Sequence, residues 1–248
     1  MKWILINSGA NSGQYNMDLD LEMARELNEN TVYFRLYRWD PYCISIGFNQ
    51  DFDEIDSCLA KANGIEVVKR PTGGRAILHS EELTYSIILP TSIGKSAKQI
   101  YLEISEALIK GLINYNSKLS TLSMEDIQPD FSRLLKEPSG SLCFASTAKN
   151  EVKFEHKKLI GSAQRKFQNV ILQHGSILCG NNHLELPRYL NIENTEKEKL
   201  QSELFEKTIS IEDITSEKID YEELGNCLVV GVQEYFGIQF ENEEIPHL

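Results

Sequence analysis

Residues Lys69 to Leu89 read KRPTGGRAILHSEELTYSIIL, and two kinds of text meet in that run. Its second half alternates, with Leu83, Tyr85, Ile87 and Leu89 on one face of an extended chain, as in a strand packed against a core. Its first half breaks that pattern. Gly73 and Gly74 follow the strand-like GIEVVKR and are flanked by Thr72 and Arg75. Such a pair either makes a tight turn or lets a ligand approach the main chain. Thr72 and Arg75 add side-chain donors close to exposed backbone N–H groups. The spacing is neither GxxxxGK[ST] nor GxGxxG, so the common phosphate-loop patterns are absent.

Working outward, strands and helices mix without regular βαβ alternation, which predicts an α+β fold in one domain spanning 1–248. KWILIN (Lys2–Asn7) reads as a short buried strand ending at the turn-rich NSGANSG. The following YNMDLDLEMARELNEN sets Met17, Leu21, Ala24 and Leu27 on one helical face. TVYFRLYRW alternates like a half-buried strand, and CISIGFNQ is a second strand broken at Gly47. SAKQIYLEISEALIKGLINYN predicts a long amphipathic helix. Lys118 to Leu142 loses periodicity and reads as loops with a short helix. EVKFEHKKLIGSAQRKFQNVILQHGSILC reads as a hairpin followed by a further strand. Charges dominate after Pro187 until YEELGNCLVVGVQEYFGI, a final amphipathic helix.

The 248 residues are 41% hydrophobic and 25% charged, ordinary for a globular protein with a real core. A net charge of -12 argues against nucleic-acid binding, which needs a basic face, and against an anionic membrane surface. Cys43, Cys58, Cys143, Cys179 and Cys227 are scattered with no CxxC pair, so neither a zinc site nor a disulfide framework is expected. The apolar run at Trp3–Ile6 is too short for a signal-peptide core, and no stretch reaches membrane-spanning length. A reducing cytoplasm is the expected compartment.

Two further stretches carry chemistry. In EHKKLIGSAQRK, Lys158 precedes Gly161, Ser162 and Ala163, small residues that leave room for a ligand beside an ammonium; otherwise Lys158 is a solvated surface charge. In SGSLCFAS, Cys143 sits in a polar, glycine-containing loop, whereas Cys179 and Cys227 lie in apolar text as buried hydrophobes do. A loop cysteine near cations has a lowered pKa, because positive charge stabilises the thiolate.

Taken in order, KRPTGGRAILH, ELTYS, KKLIGSAQ and HGSIL, with RLYRWDPYCISIGFNQ nearer the start, resemble the lipoate–protein ligase A and octanoyltransferase family, whose relatives include the biotin–protein ligases. The resemblance runs from about Trp3 to the final helix. It implies a mixed, mostly antiparallel sheet packed with helices, and a chain that ends about where the catalytic domain should, without a C-terminal accessory domain. It places Gly73 and Gly74 against an acyl chain, with Arg70 and Arg75 at the polar mouth and Thr72, Gly161, Ser162 and Ala163 around the substrate. His174 matches the family's His-Gly pair and supports the pocket wall, while His79 either orients a donor or caps a strand. Lys69 stands where the family usually shows an arginine, so a bidentate role there is lost.

Two chemistries compete within such a family. Ligases activate free lipoate or octanoate with ATP and Mg2+, using the lysine matched here by Lys158. Transferases take octanoate from acyl carrier protein through a cysteine thioester and need no cofactor. Cys143, 15 positions before Lys158 in CFASTAKNEV, matches the transferase arrangement. The resemblance therefore implies transfer through Cys143 and Lys158, without a metal, from octanoyl-acyl carrier protein to a lipoyl domain. Acceptors would be the glycine cleavage H protein or the 2-oxoacid dehydrogenase E2. The rivals are an ATP-dependent ligase and a non-catalytic binding protein. Finally, Lys149, Lys153, Lys157, Lys158, Arg165 and Lys166 are six of the 25 basic residues within 18 positions, which predicts a positive docking patch for acidic partners.

Overall fold

The computed structural model describes residues 1–125 and 151–242. Its strands are β1 (Lys2–Asn11), β2 (Thr31–Trp39), β3 (Cys43–Ile46), β4 (Glu66–Lys69), β5 (Ile77–His79), β6 (Glu82–Pro90), β7 (Ser123–Met124), β8 (Val152–Phe154), β9 (Lys157–Lys158), β10 (Ile160–Lys166), β11 (Val170–Leu178) and β12 (Phe240–Asn242). The helices are α1 (Gly13–Glu26), α2 (Ser57–Ala62), α3 (Ala97–Tyr115), α4 (Asn194–Lys207), α5 (Ile211–Thr215) and α6 (Tyr221–Phe236).

Among the described residues the main sheet runs β10-β11-β6-β2-β1-β12. Its β10–β11, β11–β6 and β6–β2 pairs are antiparallel, and β1 runs parallel to both β2 and β12. The architecture is the mixed, mostly antiparallel α+β sheet expected. All nine residues of β6 are buried, so both faces of the sheet's centre are covered. One face, carrying Phe34, Leu36, Leu83, Ile87 and Ile177, joins the core made with Ile104 and Leu108 of α3 and Leu224 and Leu228 of α6. The other face lies under α1 and the small β4-β3-β5 sheet, with Ile4, Ile6, Ile88 and Leu172 packed on Leu19 and Met23.

Local signals explain the main helix starts. Ser12 caps α1 by accepting from the Tyr15 N–H. Ser96 and Gln99 form a reciprocal capping box at α3, and Asp220 caps α6.

Three expectations are corrected. β1 does not end at NSGANSG but continues to Asn11, with a register irregularity between Asn7 and Gly9. Ladder bonds to β2 hold those polar residues extended, and hydrophobic pattern is blind to ladder bonds. The buried face of α1 is Asn16, Met17, Leu19, Asp20 and Met23, rotated from the Met17–Leu21–Ala24–Leu27 face. The helix turns polar residues inward because the sheet beneath it presents buried Arg35 and His174. The charged text after Pro187 contains α4, whose narrow buried edge is Leu200 and Leu204.

Candidate active site

Strand register builds one wall of the site. Ala163 lies opposite His174, His174 opposite Ser86, and Ser86 opposite Arg35; one step along, Gly161, Ser176, Thr84 and Tyr37 make the next row. Cross-strand partners share a face, so these rows lie together on the side covered by α1. On β6 the same alternation that sends Leu83, Tyr85 and Ile87 to one core sends Glu82, Thr84 and Ser86 to the other. The result is a polar stripe inside the protein.

A narrow pocket opens along that stripe. Its apolar lining is Met17, Tyr37, Trp39 and Ile77; Gly161, Ala163 and Gly175 supply small wall positions; Ser45, Arg70, Thr84, His79, His174 and Ser176 supply polar ones. Ser162 also borders it, but its hydroxyl is taken by Tyr85 at 2.7 Å.

Two imidazoles anchor the polar wall through parallel chains. His174 places Nε2 2.6 Å from the Thr72 hydroxyl and Nδ1 3.3 Å from Asp20. His79 places Nε2 2.7 Å from the Ser45 hydroxyl and Nδ1 2.8 Å from Glu82, and stacks on Trp39 with ring centroids 4.0 Å apart. His79 therefore positions Ser45 within the pocket wall and does more than end a strand. Burial pushes the His174 imidazole below its ordinary value, with the Arg70 charge adding to the effect. Burial alone would raise the Asp20 carboxyl, but the Arg35 guanidinium 2.8 Å away, with His174, holds it below the usual carboxylate value. Glu82 is likewise held low, against burial, chiefly by His79.

Asn16, Asp20, Arg35, Ser45 and Glu82 are site residues that the sequence pattern did not single out. Arg35 inside the apolar run TVYFRLYRW was the available signal, because an interior cation requires a buried partner. Asp20 provides it, while also accepting from Ser86 and Tyr37.

The Thr72–Arg75 loop is clamped by two guanidinium groups. Arg70 donates to the carbonyls of Ser45, Gly73 and Arg75 and to the Ser45 hydroxyl. Arg165, lying over the Phe48 ring, donates to the Pro71 carbonyl at 2.6 Å. Gly74 has φ 95°, and its carbonyl oxygen would lie 1.9 Å from a Cβ built on Gly47. The second glycine is thus bound to a close backbone approach, whereas a Cβ on Gly73 would meet nothing within 4 Å. The Arg75 side chain is turned to Glu54, 3.8 Å away, and is absent from the pocket lining.

Lys158 is no surface charge. It is fully buried, with its ammonium 2.8 Å from the Glu151 carboxylate, three residues before Gly161 of the pocket wall. Lys158 is thereby withdrawn from the expected positive patch, and Lys153 pairs with Glu125, whereas Lys157, bonded to the Phe205 carbonyl, and Arg165, bonded to the Pro71 carbonyl, keep their charge and Lys166 is exposed. Lys149 and Cys143 lie outside the described residues.

The other cysteines have different surroundings. Burial raises the Cys43 and Cys179 thiols well above the ordinary value, and burial also raises Cys227. A thiol kept neutral is a poor nucleophile. Cys58 is exposed on α2. No helix among the described residues is long and apolar enough to cross a membrane. Among the same residues, no group of three or more His, Cys, Asp or Glu side chains could hold a metal ion.

Residues 12–233 match the family described as the lipoyl protein ligase A/B catalytic domain. The octanoyltransferase LipM of Clostridioides difficile is 35% identical, over 96% of this chain and 89% of its own. That of Macrococcus caseolyticus is 34% identical, over 98% and 90%. Among solved structures, a bi-partite lipoate protein ligase from Thermoplasma acidophilum superimposes with a TM-score of 0.76 at 21% identity, covering 98% of this chain and 87% of that one. A lipoate-protein ligase A bound with ATP gives 0.74 at 20% identity, covering 98% and 89%. At that identity the structural likeness concerns the fold alone.

Proposed function

The chain belongs to the lipoyl protein ligase A/B catalytic-domain family, and on that premise we propose that it is an octanoyltransferase of protein lipoylation. The observation that carries this reading is identity of about one third, along nearly the whole chain, to relatives named octanoyltransferase. The pocket is consistent with it, since Met17, Tyr37, Trp39 and Ile77 with the small residues Gly161, Ala163 and Gly175 offer apolar surface to an unbranched acyl chain, beside a polar wall that includes Ser45, Arg70, His79 and His174.

The reaction takes place in two steps. The Cys143 thiolate attacks the octanoyl thioester of acyl carrier protein, forming an acyl-enzyme thioester and expelling the carrier's thiolate, which takes a proton from water. The lysine amine of a lipoyl domain, such as that of the glycine cleavage H protein or a 2-oxoacid dehydrogenase E2, then attacks the acyl-enzyme. An amide forms, Cys143 leaves, and the amine's proton passes to the thiolate or to water. Splitting the transfer spares the enzyme from holding two protein substrates at once. A thioester is already activated, so neither ATP nor Mg2+ is needed. Lys158 contributes positive charge near the reacting thiolate and developing oxyanion. Gly73, beside open space, and Gly161 and Ala163 leave room for the chain, while Arg70, Thr72 and His174 hold the loop and wall around it. A reducing cytoplasm is the compartment in which such a thiolate persists.

The test is intact-protein mass after mixing with octanoyl-acyl carrier protein in the absence of ATP. An octanoyl adduct that hydroxylamine removes, and that Cys143→Ser lacks, is expected. Protein that stays unmodified, yet makes acyl-adenylate from octanoate and ATP, would overturn the reading in favour of a ligase.

A further inference from the structure

Ser45, His79 and Glu82 form one hydrogen-bonded line along the pocket wall. The Ser45 hydroxyl lies 2.7 Å from His79 Nε2, and His79 Nδ1 lies 2.8 Å from Glu82 Oε1. A carboxylate only accepts, so Nδ1 carries the ring proton and Nε2 accepts from Ser45. This order of groups activates a serine for nucleophilic attack, and it is recognised by geometry and not by position in the chain. Ser45 and His79 both line the pocket, beside Ile77 and the Trp39 ring that stacks on the imidazole. Arg70 donates to the Ser45 hydroxyl at 3.1 Å, which places positive charge beside the same oxygen.

Glu82 supplies a second observation. The Thr84 and Ser176 hydroxyls each lie 2.7 Å from its Oε1, whereas the buried Oε2 has no hydrogen-bond partner. Burial alone would raise this carboxyl, but His79, Thr84 and Ser176 hold it below the usual carboxylate value. A glutamine carbonyl would accept the same three bonds without burying a charge, so packing does not account for the carboxylate. A role in holding and charging the imidazole does. The similar line from Thr72 through His174 to Asp20 lacks both features: Thr72 is not among the residues lining the pocket, and the Asp20 charge is met by Arg35.

We propose that Ser45, His79 and Glu82 form a second reactive centre in the pocket, which hydrolyses esters and thioesters of unbranched acyl chains independently of Cys143. Ser45 Oγ attacks the acyl carbonyl carbon and gives its proton to His79 Nε2, while Glu82 holds the ring through Nδ1–H. The oxyanion forms on the side of the Arg70 guanidinium. Its collapse breaks the bond to the leaving alcohol or thiol, which departs with the proton from Nε2. Water then repeats the sequence on the Ser45 ester, releasing the carboxylic acid and returning the proton to Ser45. Ser45 itself is buried, so it meets only what enters the cleft. Ser45 and His79 are catalytic here, and Glu82 is a positioning residue.

The test uses the full chain carrying Cys143→Ala, so that no product can pass through that cysteine. The protein is treated with an octyl fluorophosphonate, which phosphonylates an activated serine, and the modified peptide is identified by mass. Hydrolysis of p-nitrophenyl octanoate is followed in the same protein and after adding Ser45→Ala or Glu82→Gln, with denaturant midpoints as the control for folding. One phosphonyl group per chain, on Ser45, is expected. Ser45→Ala should lower kcat for the ester by about a hundredfold or more, with KM changed by no more than about twofold. Glu82→Gln should also lower kcat at nearly constant KM and slow the labelling of Ser45, because an amide that donates to Nδ1 imposes the wrong tautomer. A purely structural glutamate would leave the labelling rate of the folded variant unchanged. A phosphonyl group on another residue, no labelling, or ester hydrolysis that survives Ser45→Ala would overturn the proposal. The labelling result decides the matter even if Ser45→Ala fails to fold. Failure of the transferase reading would appear separately, as a parent that gains no octanoyl adduct on Cys143.

Discussion

The hydroxyl of Thr72 lies 2.6 Å from Nε2 of His174, joining two residues 102 positions apart in the chain. The other ring nitrogen faces the Asp20 carboxylate, which can only accept, so Nδ1 carries the proton and Nε2 accepts from Thr72. One imidazole thereby connects the glycine loop to the sheet and to α1.

Thr72→Val keeps the volume of the side chain but leaves a buried ring nitrogen without its donor. A loss of about 1–3 kcal/mol in unfolding free energy is expected. Thr72→Ser should regain most of it. If valine and serine variants unfold at the same denaturant midpoint, the Thr72–His174 bond contributes nothing to the loop's anchorage.

Asp20→Asn should be far more costly. Arg35 and Asp20 are both fully buried, and removing the carboxylate's charge leaves the guanidinium uncompensated, at about 3–5 kcal/mol. Glu22→Gln is the control, since its pair with the exposed Arg25 is worth less than about 1 kcal/mol. Denaturation of the two variants side by side checks the difference.

Stability should fall on mild acidification. Burial lowers His183 to about 4 and lowers His174, while the unfolded histidines titrate near their ordinary 6.5. Between those values the unfolded chain binds protons that the folded chain refuses, so stability is full above about 6.5 and declines toward pH 4. The His183 shift corresponds to about 3 kcal/mol over that window. Unfolding measured from pH 7 to 4 should show a slope reduced by close to one proton in His183→Gln. An unchanged slope would mean that His183 binds its proton as readily in the fold as in the unfolded chain. Below about pH 4, protonation of Asp20 and Glu82, both held low in the fold, should add to the loss.

The glycines should separate into two classes. In Gly47→Ala the new Cβ would stand 1.9 Å from the Gly74 carbonyl oxygen, so backbone must move and several kcal/mol of stability should be lost. Gly73→Ala meets open space and should unfold within about 0.5 kcal/mol of the parent. Its acyl-transfer rate is then a clean probe of whether the substrate passes Gly73. A Gly73→Ala enzyme with full kcat/KM would place the chain elsewhere.

Much of the fold was legible because period-2 and period-3.6 patterns record which side of an element meets apolar core. Leu83, Tyr85, Ile87 and Leu89 declared β6, and Ile100, Ile104 and Leu108 declared α3. The same logic misplaced the buried face of α1, because Asn16 and Asp20 count as polar wherever they point. β12 is three residues long and exists through its pairing with β1, so no local pattern announces it.

By itself the sequence determined the family, the α+β class and the residue types gathered near the glycine loop, since those depend on local order and spacing. Only the tertiary structure decided what those residues do. It turned Arg70 onto the chain's own carbonyls and Arg75 toward Glu54. It also buried Lys158 against Glu151 and assembled Asp20, Arg35, His174 and Thr72 into one chain of contacts. The physical reason is that a charge's role depends on its distance from other charges and from water. Both are set by elements that lie far apart in sequence and meet only when the sheet closes under α1.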